Sequence, residues 1–403
     1  MSVLDSTNPY RPGAGISPPV LAGRDVLLGE FAGVVHEVAA GREGQRPWVI
    51  TGTRGVGKTV LLLEMLQRAH DAGWVTAHVE AGPPGSLAAG LTRALYIPLR
   101  QAAGRGRAAQ ERGERGAGAA LRRLLAVFSA FKFTVDSGGK LTFGVDVDPA
   151  AAVELSGDLG TDLHQLLRSL GEWAREEGSP VLLTIDELDA ATPEDLNGLN
   201  KALHLLGQED LPVPVQVVAA GQPSLPGILA RANAYAERLY VFRHIGALDG
   251  AAAAVALAAP AAHLGVTWAP DAVSLAISES WGVPFFLQSI GRFAWQLRDA
   301  ATITRADAAA AAELAFADAE GLFLARWERS TAAQQALVGA LAALGGEAAL
   351  GDVAARLGRT PASLARVRAD LVASGVVEVP APGRLTFTLP GFAEFVAGRS
   401  VSG

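Results

Sequence analysis

A glycine-rich motif at residues 52–59 constrains the fold of this chain more than any other feature. Its sequence, GTRGVGKT, matches G-x-x-x-x-G-K-[ST] in full. The motif follows a short apolar run at 47–51 (PWVIT) and precedes a segment at 59–71 whose leucines recur at helical spacing. A buried strand that leads through such a turn into a helix is the context in which this motif forms a phosphate-binding loop. The sequence therefore predicts an α/β domain built around a P-loop.

The residue types of the motif fit the binding of ATP. Glycines let backbone N–H groups approach phosphate oxygens without a Cβ in the way, and the N-terminus of the following helix adds its positive dipole end. Lys58 is expected to reach the β- and γ-phosphates, and the Thr59 hydroxyl to bind Mg²⁺. A glycine-rich turn without a ligand is disfavoured, because the chain has only four lysines and one stands here. The other predicted nucleotide contacts in the motif are Gly52, Thr53, Arg54, Gly55, Val56, Gly57 and the flanking Val60.

Two carboxylates follow a second apolar strand, predicted at 181–185 (VLLTI). Asp186 is placed to hold the Mg²⁺, and Glu187 to orient and deprotonate the attacking water. Carboxylates at a strand end also act as helix caps. The catalytic assignment of the pair therefore depends on the P-loop that precedes it.

Three further polar residues lie near predicted strand ends. Gln222 follows the strand predicted at 213–219 and is either a contact to the γ-phosphate or lytic water, or an ordinary turn residue. Arg238 and Arg243 flank the last core strand, at 239–242. Each is either an arginine finger that acts on the ATP of a neighbouring subunit or a solvated surface arginine.

Apolar strands that alternate with helices predict a parallel sheet buried on both faces. After residue 249 the pattern becomes alanine-rich and helical, and three helices with two short strands close the chain, which is the outline of a winged helix-turn-helix. Between the second and third strands, residues 100–120 predict a flexible Arg/Gly loop and residues 131–147 a β-hairpin. The predicted organisation is an extended lead-in at 1–19, an ATPase core at 20–248 with an insertion at 100–157, a helical lid at 249–321 and the winged helix at 322–403.

These motifs, taken in order, resemble the AAA+ ATPases and among them the initiator-like and STAND-like branches. The resemblance rests on LAGRD (21–25), the P-loop, LLTIDELD (182–189) and WGVPFFLQ (281–288). It implies that Arg24 lies near the adenine and that Gly282 and Pro284 form a G-x-P motif in the lid. The lid position that usually carries a sensor arginine has Gly-Val-Pro here, and Arg292 is only a weak substitute. A slow, switch-like ATPase is expected.

Composition excludes several other classes of protein. The chain has no cysteine, which rules out disulfides, thiolate metal sites and a cysteine nucleophile. Its net charge of −7 gives no overall attraction to nucleic acid or anionic membranes. The longest apolar run, 251–264, is too short to span a bilayer, and the first 19 residues lack the apolar core of a signal peptide. We therefore expect a cytoplasmic protein without a membrane span.

The predicted winged helix suggests a partner for the ATPase. Arg366 points away from the apolar face of the predicted recognition helix, where it would contact duplex DNA, while Arg359 and Arg384 would contact phosphates. Winged helices also dock proteins, and fold does not fix function. Three hypotheses stay open: a nucleotide-controlled switch that acts on DNA or a protein, a DNA-binding initiator locked by ATP, and an adaptor that hardly hydrolyses ATP. A homo-oligomer is compatible with each.

Overall fold

The computed structural model describes residues 8–41, 46–82, 86–110, 124 and 156–400. The β-hairpin predicted at 131–147 lies outside these residues, as do residues 111–120 of the predicted loop.

A five-stranded sheet forms the centre of the first domain, and all of its strand pairs are parallel. The spatial order is β2-β3-β4-β1-β5. Strands β1, β3 and β4 are buried along their whole length, which explains their continuous apolar sequences. The prediction of a parallel α/β sheet is thus confirmed. The strands are β1 (Trp48–Thr51), β2 (Val75–Glu80), β3 (Val181–Asp186), β4 (Val215–Gly221) and β5 (Val241–His244).

Helices cover both faces of this sheet. Alternate residues of β1 enter opposite cores: Trp48 and Ile50 pack with Phe31 and Leu62, whereas Val49 packs in the larger core on the other face. The helices are α1 (Asp25–Ala39), α2 (Lys58–Asp71), α3 (Ser86–Gln110), α4 (Leu159–Glu177), α5 (Pro193–Leu206), α6 (Leu225–Ala232) and α7 (Ala236–Leu239).

Helix α3 corrects the prediction of a flexible loop that begins at residue 100. The helix continues to Gln110 although its sequence there contains two glycines. The alanine, arginine and glutamine residues of 101–110 are strong helix formers, and extending an existing helix needs no new nucleation step.

Four helices follow the sheet in the region predicted as a lid. They enclose a core of alanines and aromatic residues, and a short parallel pair of strands joins two of their loops. The elements are α8 (Gly250–Ala262), β6 (Thr267–Trp268), α9 (Pro270–Ser280), α10 (Pro284–Leu297), β7 (Thr302–Ile303) and α11 (Arg305–Asp318).

The C-terminal unit combines helices with a three-stranded antiparallel sheet of order β8-β10-β9. Two of its strands lie where the sequence predicted the wing, but the assignment as a winged helix stays a prediction. The elements are α12 (Glu320–Glu328), α13 (Ala332–Ala342), β8 (Glu347–Ala349), α14 (Leu350–Arg356), α15 (Ala365–Ala373), β9 (Val377–Glu378), β10 (Arg384–Phe387) and α16 (Phe392–Ser400). Within the described residues, no helix is both long and apolar enough to cross a membrane.

Candidate nucleotide-binding site

A cavity of about 590 Å³ opens where the P-loop, the N-terminal segment, the lid and the C-terminal unit meet. Its volume lies within the range of about 300–1,000 Å³ that small-molecule sites occupy. The predicted site residues that line it are Arg24, Arg54, Gly55, Val56, Gly57, Lys58, Thr59, Val60, Pro284 and Glu187. The structure therefore brings most of the predicted residues to one cavity.

The P-loop folds around Lys58. Gly55 and Gly57 have φ of +86° and +92°, a conformation that side chains with a Cβ rarely adopt. The Lys58 ammonium donates to the carbonyl oxygens of Gly52 (2.9 Å) and Thr53 (3.1 Å). These two predicted residues thus hold the lysine instead of lining the cavity. Burial lowers the pKa of Lys58, and the carboxylates of Glu187 and Asp186 oppose that shift.

The two predicted magnesium ligands are in direct contact. The Thr59 hydroxyl, in the first turn of α2, donates to Oδ2 of Asp186 at the end of β3, at 2.5 Å. Mg²⁺ prefers hydroxyl, carboxylate and phosphate oxygens. This pair supplies two such oxygens beside the phosphate-binding loop, so the residues present fit the ion.

Glu187 is held at the edge of the cavity in an uncommon conformation. Its φ of +48° lies in the left-handed region, where a residue with a side chain costs about 1–3 kcal/mol. Its backbone N–H donates to Oδ1 of Asp186 at 2.8 Å, and its carboxylate lies 3.8 Å from Nη2 of Arg54. Burial raises the pKa of Glu187, while Arg54 acts in the opposite direction. A carboxylate with a raised pKa beside a phosphate site has the character of a general base.

Arg24 braces the P-loop. Its Nη2 donates to the carbonyl oxygens of Val56 (3.0 Å) and Gly246 (2.7 Å), so it ties the loop to the segment that follows β5. Burial lowers the pKa of Arg24. The residue lines the cavity as predicted, but its Nη2 is committed to the protein backbone.

The Gly-Val-Pro segment of the lid docks onto the P-loop. The N–H of Phe285 donates to Gly55 O at 3.2 Å, and the N–H of Leu248 donates to Gly282 O at 2.8 Å. Gly282 has φ of +68°. The predicted G-x-P motif therefore places Pro284 against the cavity.

The N-terminal segment is a wall of the cavity, which the sequence alone did not reveal. Residues 11–16, 18 and 20–22 line the cavity. Tyr10 is buried in the lid, where its hydroxyl donates to Leu257 O and accepts from Trp268 Nε1 at 2.8 Å. Asn8 donates to Arg292 O at 3.0 Å. The interpretation of residues 8–19 as a mere lead-in was therefore incomplete, and an aromatic residue in a polar, Pro-rich stretch was the available signal.

The structure places Gln222 beside the cavity, not in its wall. It lies at the end of β4, between the strands that carry the P-loop and Asp186, and is buried. Its backbone N–H donates to Asp189 Oδ1 at 2.8 Å. Its side chain packs against Gly375 of the C-terminal unit. Arg326 of the same unit lines the cavity and was not predicted.

The remaining candidate arginines lie elsewhere. Arg238 is exposed on α7, and Arg243 pairs with Glu30 at 2.9 Å. Arg238 precedes β5, an edge strand of the sheet, and Arg243 belongs to it. Arg292, the weak substitute for a lid arginine, lies 3.7 Å from Asp318. Neither Arg238, Arg243 nor Arg292 lines the described cavity.

The candidate DNA contacts lie on the C-terminal unit. Arg359 and Arg366 are exposed. Arg384 forms an ion pair with Glu347 of the neighbouring strand, with its Nη2 at 2.8 Å. That pairing leaves Arg384 less available for a phosphate than the sequence suggested.

A parallel sheet with a P-loop and a carboxylate pair at its strand ends defines a P-loop nucleoside triphosphatase domain. Residues 20–218 match the family model of the AAA ATPase domain. This segment is therefore an AAA ATPase domain, and the resemblance of the sequence to the AAA+ ATPases is confirmed. Residues 320–396 match a domain family of unknown function, DUF8462. No curated protein matched the sequence.

Solved structures share the architecture over nearly the whole chain. The Walker-type ATPase PABY2304 of Pyrococcus abyssi superposes with a TM-score of 0.63 at 13% identity, covering 93% of this chain and 96% of that one. The Aeropyrum pernix ORC2 protein, described as ADPNP–ADP complexes, superposes with a TM-score of 0.57 at 14% identity, covering 97% and 98%. At this identity the likeness shows the fold alone.

Proposed function

We propose that this chain binds ATP–Mg²⁺ and hydrolyses it slowly, as a conformational switch that acts on a macromolecule through the C-terminal unit. The contact that carries the proposal is the 2.5 Å hydrogen bond between Thr59 and Asp186, in a P-loop cavity that Glu187 also lines. A purely structural P-loop has no need of this set of oxygens beside a candidate base.

Each residue then has a defined role in hydrolysis. Backbone N–H groups of the P-loop and the Lys58 ammonium stabilise the phosphate charge. Thr59 and Asp186 would hold Mg²⁺, which supplies charge neutralisation when bound. Glu187 accepts a proton from the water whose oxygen attacks the γ-phosphorus, and the bond to the ADP oxygen breaks.

The pairing of Glu187 with Arg54 should reduce the rate of turnover modestly. Arg54 lies 3.8 Å from its carboxylate and competes with water for the oxygens that must take the proton. Side chains of Arg54 and Glu187 are 41% and 31% exposed, so the pair is screened by solvent and can separate at small cost. We expect catalysis only in the fraction of molecules in which Glu187 has left Arg54.

Duplex DNA is the partner that the exposed Arg359 and Arg366 support, with Arg384 as a weaker contact because of its pairing with Glu347. A protein partner is the alternative, since the fold of the C-terminal unit does not fix its function. Binding to duplex that weakens steeply with salt and is lost in Arg359→Ala/Arg366→Ala would support DNA. Turnover that ignores duplex would favour the protein partner.

A homo-oligomer would give the edge-strand arginines a role. Arg238 is exposed on α7, just before the edge strand β5, where a neighbouring copy could receive it. Mixing Arg238→Ala with Glu187→Gln subunits tests this, because an arginine finger acting between subunits predicts turnover in the mixture that neither variant has alone.

Steady-state ATP hydrolysis tests the central proposal. Lys58→Ala should lose both binding and turnover, whereas Glu187→Gln should bind ATP and lose turnover. Glu194→Gln, an exposed acid on α5 outside the cavity, is the matched control and should behave as wild type. Binding without turnover in wild type would instead favour the adaptor, and absence of binding would refute the proposal.

A further inference from the structure

A buried arginine of the C-terminal unit faces the nucleotide cavity. Arg326, on α12, is 4% exposed and lines the same cavity as Lys58 and Thr59. Its Nη1 donates to Gly375 O at 3.1 Å. Its Nε and Nη2 find no hydrogen-bond acceptor among the described residues. A residue that lines the phosphate-binding cavity thus has two donor nitrogens without an acceptor among the described residues.

The charge of Arg326 calls for an anion. Burial, followed by the neighbouring cations Arg54 and Arg329, lowers its pKa to about 10, so the guanidinium remains protonated at neutral pH. A buried cation is costly unless a counter-charge and hydrogen-bond acceptors accompany it. Guanidinium groups match phosphate oxygens in both charge and geometry. A phosphate of the nucleotide meets each of these requirements.

The neighbours of Arg326 indicate the end of the cavity at which it lies. Arg326 donates to Gly375 O, and Gly375 lies against Gln222 at the end of β4. The neighbouring strand β3 ends in Asp186, which Glu187 follows. Glu187 stands where the attacking water is activated in the proposed reaction. Arg326 is thus at the end of the cavity where the terminal phosphate lies.

We propose that Arg326 binds the γ-phosphate of ATP and makes the C-terminal unit a sensor that distinguishes ATP from ADP. This inference rests on the proposed function, because it takes ATP as the ligand. In this proposal the sensor arginine lies outside the lid, where the expected position holds Gly-Val-Pro.

Gly375 links Arg326 to the ATPase core. Its carbonyl accepts from both Arg326 and the Thr388 hydroxyl, the latter at 2.7 Å. On its other side, a Cβ at this glycine would lie 2.8 Å from Oε1 of Gln222. The same turn is also fastened by Ser224, whose hydroxyl donates to Ala373 O at 3.0 Å.

The turn that contains Gly375 lies at the end of the helix that carries Arg366. Helix α15 ends at Ala373, two residues before the carbonyl that Arg326 holds. A γ-phosphate bound by Nε and Nη2 would fix the guanidinium whose Nη1 holds this carbonyl. We therefore expect ATP, and not ADP, to alter the position or mobility of α15.

Nucleotide affinities of Arg326→Met test the proposal, because methionine keeps much of the buried stem and removes the charge. Calorimetric titrations with Mg²⁺ should show binding of the non-hydrolysable analogue AMP-PNP weakened by about tenfold to a hundredfold, the range for lost hydrogen bonds to a charged group. Binding of ADP should change by less than about twofold, since ADP lacks the phosphate concerned. Arg326→Lys should restore part of the AMP-PNP affinity.

Two control variants separate sensing from structure. Arg329→Ala removes an exposed arginine three residues away and should leave both affinities unchanged. Thr388→Val removes the other donor to Gly375 O without altering charge, and should lower the melting temperature while keeping the preference for AMP-PNP over ADP. Without nucleotide, Arg326→Met should melt no lower than wild type, because it removes an unpaired buried charge.

Equal weakening of AMP-PNP and ADP in Arg326→Met, or loss of the preference in Thr388→Val, would assign Arg326 a structural role and overturn the inference. Unchanged affinities in Arg326→Met would overturn it as well, with the proposed ATPase function intact. A wild-type protein that binds neither nucleotide would overturn both.

Discussion

Substitution of Gly282 by alanine should separate the lid from the P-loop. The residue has φ of +68°, and an added Cβ would lie 2.3 Å from the backbone oxygen of Leu248. Non-bonded carbon contacts are optimal near 3.5–4.0 Å, so the backbone must move by roughly 1 Å. Because Val283 and Phe285 contact Gly55 directly after this turn, the displacement is passed to the P-loop.

The free-energy cost of Gly282→Ala can be compared with that of the same substitution at another glycine in the lid. Gly265 has φ of +75°, but a Cβ there would meet no atom within 4 Å. Gly265→Ala should therefore cost only the left-handed conformation, about 1–2 kcal/mol. Gly282→Ala adds an overpacking cost of about 1–3 kcal/mol, and loss of the Phe285–Gly55 hydrogen bond should weaken ATP binding by up to about tenfold.

Thermal unfolding and nucleotide titration measure both effects. Melting temperatures are the suitable quantity, because a multidomain chain need not unfold in one step. Both variants should melt below wild type, with Gly282→Ala lower, and Gly282→Ala alone should lose ATP affinity. If the two variants lose affinity equally, or if Gly282→Ala keeps it, the docking of Gly-Val-Pro on the P-loop does not position the nucleotide site.

Three further substitutions test residues in and around the site. Tyr10→Phe leaves Leu257 O and Trp268 Nε1 without their buried partner, so it should cost about 1–3 kcal/mol, seen as a lower melting temperature, and should weaken ATP binding. Gln222→Met removes a buried amide with no side-chain partner among the described residues, so it should raise the melting temperature; a lower value would reveal a partner. Thr59→Val keeps the shape but removes the hydroxyl, and calorimetry with and without EDTA should show that Mg²⁺ no longer strengthens ATP binding.

The sequence could predict the parts of the site that arise from local patterns. The P-loop is eight consecutive residues with strand and helix on either side, and Asp186 directly follows an apolar strand. Since parallel strands end at the same edge of a sheet, these two motifs had to lie close together. The 2.5 Å contact of Thr59 with Asp186 confirms that reasoning.

The parts of the site that the sequence did not predict depend on contacts between segments far apart in the chain. Tyr10 meets Leu257 and Trp268, and no local periodicity encodes such a pairing. Arg326 left one trace: it lies three residues after Phe323, on the buried face of its helix. A charged residue on an apolar helix face signals a buried function, but its partner can be identified only once the domains are packed.

A nucleotide can shift a conformational equilibrium only through a contact that differs between its bound states. ATP and ADP differ in the terminal phosphate, so contacts to the adenine or the P-loop backbone can hold the protein in one shape but cannot tell the two nucleotides apart. Lys58, Arg54 and Glu187 belong to the ATPase core, and a contact through them alone changes the core. Among the described cavity residues, Arg326 is the charged group that the C-terminal unit contributes. If this protein is a switch that acts through that unit, a contact between the terminal phosphate and Arg326 is therefore the most direct way in which ATP can change the C-terminal unit.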